Sequence, residues 1–167
     1  KITANDLPDI VVVTFAGGAY NSLGTVHALS VTAGALTEKW SRAGVINASS
    51  QLASGNIDGL PGNEVVGCGV GTLVALKADG GDLWSQSAVP CRQPSLADLE
   101  GDGPVEVVTE KHIVDGKTGA VKQTLATPAA INTVADLDGN GTLDIVAGGH
   151  AAKADGTELA NTGTTQS

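Results

Sequence analysis

The chain has 167 residues, a net charge of −9, 23 glycines and only 2% aromatic side chains. That acidity excludes nucleic acid and anionic membrane surfaces as partners, because phosphate recognition needs clustered Lys and Arg. No apolar run approaches the ~18 residues of a membrane span, and no long Leu- or Ala-rich stretch keeps a 3.6-residue period, so neither a membrane-inserted helix nor a helical bundle is expected. The core must instead come from thin, closely packed layers of Val, Ile, Leu and Ala. Without an initiator Met or a signal peptide, the sequence reads as a mature, excised or partial product.

In chain order, the first stretch is Lys1–Phe15, in which Asn5 and Asp9 stand four residues apart ahead of a Val-rich strand. A long connection follows, Ala16–Gly24, holding the only Tyr. Insertions of this kind lie on the surface and often carry binding, which makes Tyr20 and Asn21 a candidate binding loop. Next comes Asn56, Asp58, Leu60, Gly62 and Glu64 at alternate positions, then a hairpin of Thr72–Lys77 and Asp82–Ser85 around Asp79-Gly80-Gly81. A third unit predicts strands at Pro94–Ala97, Val105–Thr109, Lys111–Val114 and Ala120–Leu125. Asp98, Glu100, Asp102, Pro104 and Glu106 alternate after its first strand, and Asp115-Gly116 turns between its last two. The fourth unit places Asp136, Asp138, Asn140, Thr142 and Asp144 ahead of Ile145-Val146-Ala147, then Ala151–Ala154, Asp155-Gly156 and Thr157–Ala160. Asp-Gly pairs favour tight hairpin turns, which need positive φ. A polar tail, Asn161–Ser167, closes the chain.

The acidic frames begin at 1, 56, 98 and 136, so a unit recurs every 38 to 55 residues. Several short strands per unit at this period predict an all-β β-propeller, or part of one, with four-stranded blades at about 1–47, 48–89, 90–127 and 128–160. The first blade lacks a leading strand, since Lys1 already lies inside the frame. Trp40 and Trp84 fall at matching places in fourth strands, where Gln123 and Ala160 stand in later units. Periodic tryptophans of this kind serve packing between blades.

Oxygen side chains at loop positions one, three, five and nine, with glycines between them, let a short backbone curl around one hard cation. Calcium takes six to eight oxygens in a tolerant geometry, which such a loop supplies. Asp, Asn and Gly are also plain turn formers, but four copies in register, each before a β-branched run, point to metal. Residues 136–141 match the opening of an EF-hand, yet position twelve is Ala147, or Thr109 in the third copy, and the flanks read as strands. The EF-hand is rejected. Calcium is expected at 98–106 and 136–144, more weakly at 56–64, where Leu60 offers only its carbonyl. None is expected at 1–9, where Lys1 and Thr3 replace the first two ligands.

Cys68 and Cys91 fit either a disulfide in an oxidising, extracellular setting or two buried thiols. His27, His112 and His150 fall near third strands at inequivalent positions, without the converging ligands that zinc needs. There is no nucleophile elbow and no Cys/His pair with local support, and the paired carboxylates are taken by the metal loops.

The short strand, the Asp-x-Asp-Gly-x-Gly-x-x-Asp/Glu loop and the following Val/Ile run resemble the FG-GAP/VCBS-type repeat of integrin α-subunit propellers and many bacterial surface proteins. The resemblance spans Lys1 to about Ala160. It implies a calcium-binding propeller for adhesion or recognition of a protein or glycan ligand at the cell surface, without catalysis. Two rivals use the same blades: scaffold in a propeller enzyme, such as a polysaccharide lyase or a quinone-dependent dehydrogenase, and a calcium-dependent lectin. Open blades at both ends predict self-association or further blades.

Overall fold

The computed structural model describes residues 9–17, 21–89, 91–126, 132–147 and 149–162. Fifteen strands and no helix occur among them. Strands β1 (Asp9–Thr14), β2 (Leu23–Thr32) and β3 (Ala35–Asn47) form a three-stranded sheet. The second sheet is β4 (Ala53–Gly55), β5 (Glu64–Cys68), β6 (Leu73–Leu76) and β7 (Asp82–Gln86). The third is β8 (Ser95–Ala97), β9 (Glu106–Val108), β10 (His112–Asp115) and β11 (Val121–Thr124). The fourth is β12 (Asn132–Ala135), β13 (Asp144–Ala147), β14 (His150–Ala152) and β15 (Glu158–Asn161). Each is an antiparallel meander whose spatial order follows the chain.

Antiparallel strands with one wet face alternate apolar and polar residues, yet β5 and β6 are buried at every position. Successive side chains point to opposite faces, and here both faces are covered. Val65 joins Val26, Ala28, Ile46, Val74 and Leu76 between the first and second sheets. Its neighbour Val66 joins Leu73, Ala75, Val107 and Val114 between the second and third. Val108 and Ile113 then meet Ala97, Leu125 and Ile145 between the third and fourth. Three cores therefore alternate with four sheets, and one strand feeds two cores.

A second contact repeats along the stack. The Trp40 indole N–H, from β3, donates to the Ala78 carbonyl at 2.8 Å, and Trp84, from β7, donates to the Gly116 carbonyl at 2.7 Å. Each ring lies flat on a turn glycine of the next sheet: a Cβ at Gly80 or Gly119 would come within 2.8 or 2.7 Å of it. Gln123, from β11, covers Gly156 in the same way. The ladders bulge beside this residue: pairing shifts just after Ala28↔Trp40, Ala75↔Trp84, Ile113↔Gln123 and Ala151↔Ala160. An extra residue increases local twist and re-aims the strand end toward the neighbouring sheet.

The first sheet departs from its sequence reading. Its second and third strands run 10 and 13 residues around Ala33 and Gly34, both at positive φ (51° and 81°). The hairpin stem carries exposed Leu36 beyond the covered part of the sheet.

Gly119 and Gly71 both hold positive φ (75° and 70°), but a Cβ at Gly71 would meet nothing within 4 Å. Alanine at either position carries the left-handed penalty of about 1–2 kcal/mol. Gly119→Ala is expected to lose at least about 1 kcal/mol more than Gly71→Ala in urea denaturation, because only it must push Trp84 off the sheet. Equal losses would show that the stacked indole has room to move.

Candidate functional site

In the second, third and fourth sheets the acidic loop links the first strand to the second, so antiparallel geometry puts it at the same end of each sheet, beside the turn between third and fourth strands. Adjacent loops touch: the Leu143 N–H donates to the Leu99 carbonyl at 3.1 Å. Position nine is the first residue of β5, β9 and β13, and its side chain is almost wholly enclosed: Glu64 2% exposed, Glu106 1%, Asp144 0%. One oxygen of each carboxylate accepts the backbone N–H of position two. Ile57 donates to Glu64 at 2.9 Å, Leu99 to Glu106 at 3.0 Å and Leu137 to Asp144 at 3.0 Å. Position one folds the loop over itself. Asp136 accepts the amides of Gly139, Asn140 and Gly141 at 2.7–3.1 Å, and Asp98 those of Asp102 and Gly103 at 3.0 and 2.9 Å.

The loops part at the second oxygen of position nine. In the fourth, Asp144 Oδ1 is buried and has no hydrogen-bond partner among the described residues. Carboxylate oxygens of Asp136, Asp138 and Asp144 lie within 4.8 Å of one another, and no other such group of His, Cys, Asp and Glu occurs among the described residues. Lys153 approaches only the exposed edge of Asp138, at 3.4 Å. Asn140 Oδ1 accepts from the Thr142 amide at 2.7 Å and its hydroxyl at 2.5 Å, which fixes the later part of the loop. The residues fit a hard cation: an enclosed, uncompensated oxygen faces two exposed carboxylates.

In the third loop the second oxygen is occupied. Lys122 Nζ donates to Glu106 Oε1 at 2.7 Å and to Glu100 Oε2 at 2.9 Å. Burial pulls this ammonium's pKa down, but its bonds to Glu106 and Glu100 more than offset that and hold it well above the usual lysine range. Asp98 faces backbone amides, and Asp102 and Pro104 are exposed on the loop. The second loop is closed by its own amide: Asn56 Nδ2 donates to the Leu60 carbonyl at 2.8 Å, so the oxygen expected at position five already has a donor. Asp58 Oδ1 takes the Leu60 amide at 2.7 Å, and burial pushes the Glu64 carboxyl above its ordinary value. Gly62 holds positive φ (121°) in the same turn. Of the frame at 1–9, only Asp9, the first residue of β1, lies within the described residues.

Cys68 and Cys91 form a disulfide that ties the end of β5 to the connection between the second and third sheets. It lies at the end opposite the acidic loops, in a cleft lined among others by Asn21, Asn47, Ser49, Arg92 and Gln93. Tyr20 falls outside the described residues. Asn21 is brought to this cleft, and its carbonyl accepts from Asn47 Nδ2 at 2.8 Å. Glu110, set in the adjoining turn, has a buried Oε2 without a partner among the described residues, and burial raises its pKa against the pull of Arg92.

The histidines need a correction. His27, His112 and His150 pair with Ser41, Thr124 and Asn161, each one residue before the Trp40, Gln123 or Ala160 pair, so they are equivalent. The long connection and the extended hairpin of the first sheet displaced the count. His27 bonds Thr14 and Glu38, while burial lowers the pKa of His112. No histidine joins a metal group among the described residues.

No family model matches the chain, and no curated protein matches it in sequence. Solved structures do match in fold. The V. cholerae biofilm matrix protein Bap1 superposes with a TM-score of 0.78 at 23% identity, over 93% of this chain and 27% of that one. Bacillus licheniformis rhamnogalacturonan lyase PL11 gives 0.71 at 21% identity, over 93% and 29%. Rhamnogalacturonan lyase YesW gives 0.67 at 20% identity, over 85% and 27%. The chain thus spans under a third of the length of each, and identities this low establish a shared arrangement of sheets.

The disulfide closes a loop between residues 23 apart. By chain entropy alone, reduction is expected to lower the unfolding free energy by about 3 kcal/mol. Paired denaturation curves with and without reductant measure this, and superimposable curves would contradict it.

Proposed function

We propose that this chain is a non-catalytic, extracellular recognition or structural module, a run of propeller blades held by calcium in at least its fourth acidic loop. The observation that carries this reading is Asp144 Oδ1, enclosed and unpartnered within reach of Asp136 and Asp138. An ionised oxygen left bare in the interior costs several kcal/mol, and a divalent ion supplies the missing charge and coordination. Asp136, Asp138 and Asp144 would hold it, with Asn140 and Thr142 shaping the loop. The ion would tie the first-to-second strand connection to β13 and so brace the edge of the sheet.

Blades are supported by the stacking itself: four chain-ordered meanders, the inner two burying both faces against their neighbours, follow the repeating plan of a propeller wall. The disulfide supports an oxidising compartment. The partner is then a protein or glycan at the cell surface, further blades, or a second copy, with the polar cleft around Asn21 and Arg92 as the contact region. A matrix protein among the fold neighbours favours this reading. The second reading, blades as scaffold in a polysaccharide lyase, is favoured by the lyase structures that share the arrangement.

Melting the protein in calcium and in chelator tests the proposal. Calcium at one hundred times its dissociation constant stabilises a fold that alone binds it by about 2.7 kcal/mol. Asp144→Asn should melt above the parent in chelator, where it removes a buried charge, and below it in calcium. Parent curves that coincide in the two buffers would overturn the calcium assignment.

A further inference from the structure

We propose that Lys122 is the resident cation of the third acidic loop, so that this chain takes a divalent ion in the fourth loop and none in the third. This deepens the calcium reading above and departs from the expectation, drawn from carboxylate number, of an ion at 98–106. The loop at 98–106 has one more carboxylate than that at 136–144. Carboxylate number alone would therefore make it the stronger site.

What reverses the order is a residue outside the loop. Lys122 precedes Gln123, the residue paired with Ile113. The corresponding residues precede Trp84, paired with Ala75, and Ala160, paired with Ala151. They are Leu83 and Leu159, so in neither sheet does that position offer a charge. The first sheet has Lys39 at that position, before Trp40, but residues 1–8 of its acidic frame lie outside the described residues. In the third sheet β11 sends an ammonium across β10 to β9, where it meets the enclosed oxygen of Glu106. Glu100, one methylene longer than Asp138 at the same loop position, reaches out of the loop to the same Nζ. Loop positions three and nine, whose carboxylate oxygens in the fourth loop lie within 4.8 Å of each other, are here bridged by a single nitrogen. A divalent ion entering this loop must first break three contacts of 2.7–3.2 Å and expel a tethered charge. The fourth loop has no such guard, since Lys153 touches only Asp138 and leaves Asp144 bare.

Two measurements on the full chain test this. In the first, lysines are acetylated with limiting acetic anhydride and read by peptide mass spectrometry. Lys122 should react several-fold more slowly than Lys39 or Lys117, and saturating calcium chloride should leave its rate unchanged. A calcium-induced rise in Lys122 labelling would mean that metal displaces it, and would overturn the proposal. In the second, calorimetric titration with calcium chloride should give one more ion per chain for Lys122→Gln than for the parent, with a larger calcium-induced rise in melting temperature. A folded Lys122→Gln protein with the parent's stoichiometry would also overturn it. Should the parent take no ion while Lys122→Gln takes one, the fourth-loop assignment fails and the role of Lys122 stands.

Discussion

The structure depends on strands that must be buried on both faces at once. A four-residue strand such as β6 has no side chain to spare for solvent, so Leu73 and Ala75 serve one core while Val74 and Leu76 serve another. Such a sheet cannot stand alone, since either face left open exposes a continuous apolar surface. Its neighbours are therefore part of its fold, and stability passes along the stack from sheet to sheet. With so few aromatic residues, the layers approach closely, and close approach is what places a turn glycine under each Trp40 or Trp84 ring.

This close packing sets the terms for the acidic loops. The last loop residue is also the first residue of a buried strand, so its carboxylate is drawn into the edge of the core along with the strand. One oxygen is satisfied locally by a backbone amide in each of three copies. The other must find its own compensation, and the copies differ. Glu106 has a lysine, Glu64 sits in a loop closed by the Asn56 amide with its pKa raised by burial, and the second oxygen of Asp144 has no partner among the described residues. One repeated motif thus yields three electrostatic outcomes, decided by side chains from elsewhere in each sheet.

The two ends of the stack divide the work. The acidic loops and the turns from third to fourth strands gather at one end, where they fix strand pairing and hold charge. The connections between sheets, the disulfide and the polar cleft lie at the other, together with the tight turns from second to third strands. Fold neighbours as different as a matrix protein and rhamnogalacturonan lyases show that this arrangement of sheets serves unrelated ends.

Much of this was legible in the chain because the determinants are local. Turn chemistry at Asp-Gly pairs, the alternating oxygens of the loops and the β-branched runs after them predicted the strands of the third unit to within about a residue or two of β8 to β11. The matching of Trp40 with Trp84 was visible as a spacing. The equivalence of the histidines was hidden by the long insertion in the first unit, and only ladder pairing exposed it. Sequence alone left open whether Cys68 and Cys91 meet, since nothing local fixes their distance. Nor could counting carboxylates rank the loops, because Lys122 is sixteen residues from Glu106 and faces it only through the order β11-β10-β9. The sequence determined the repeat, its strands and the oxygens each loop carries, all short-range properties of the chain. Tertiary structure decided which oxygen is paired and which is bare, because a buried charge answers to whatever the fold brings beside it.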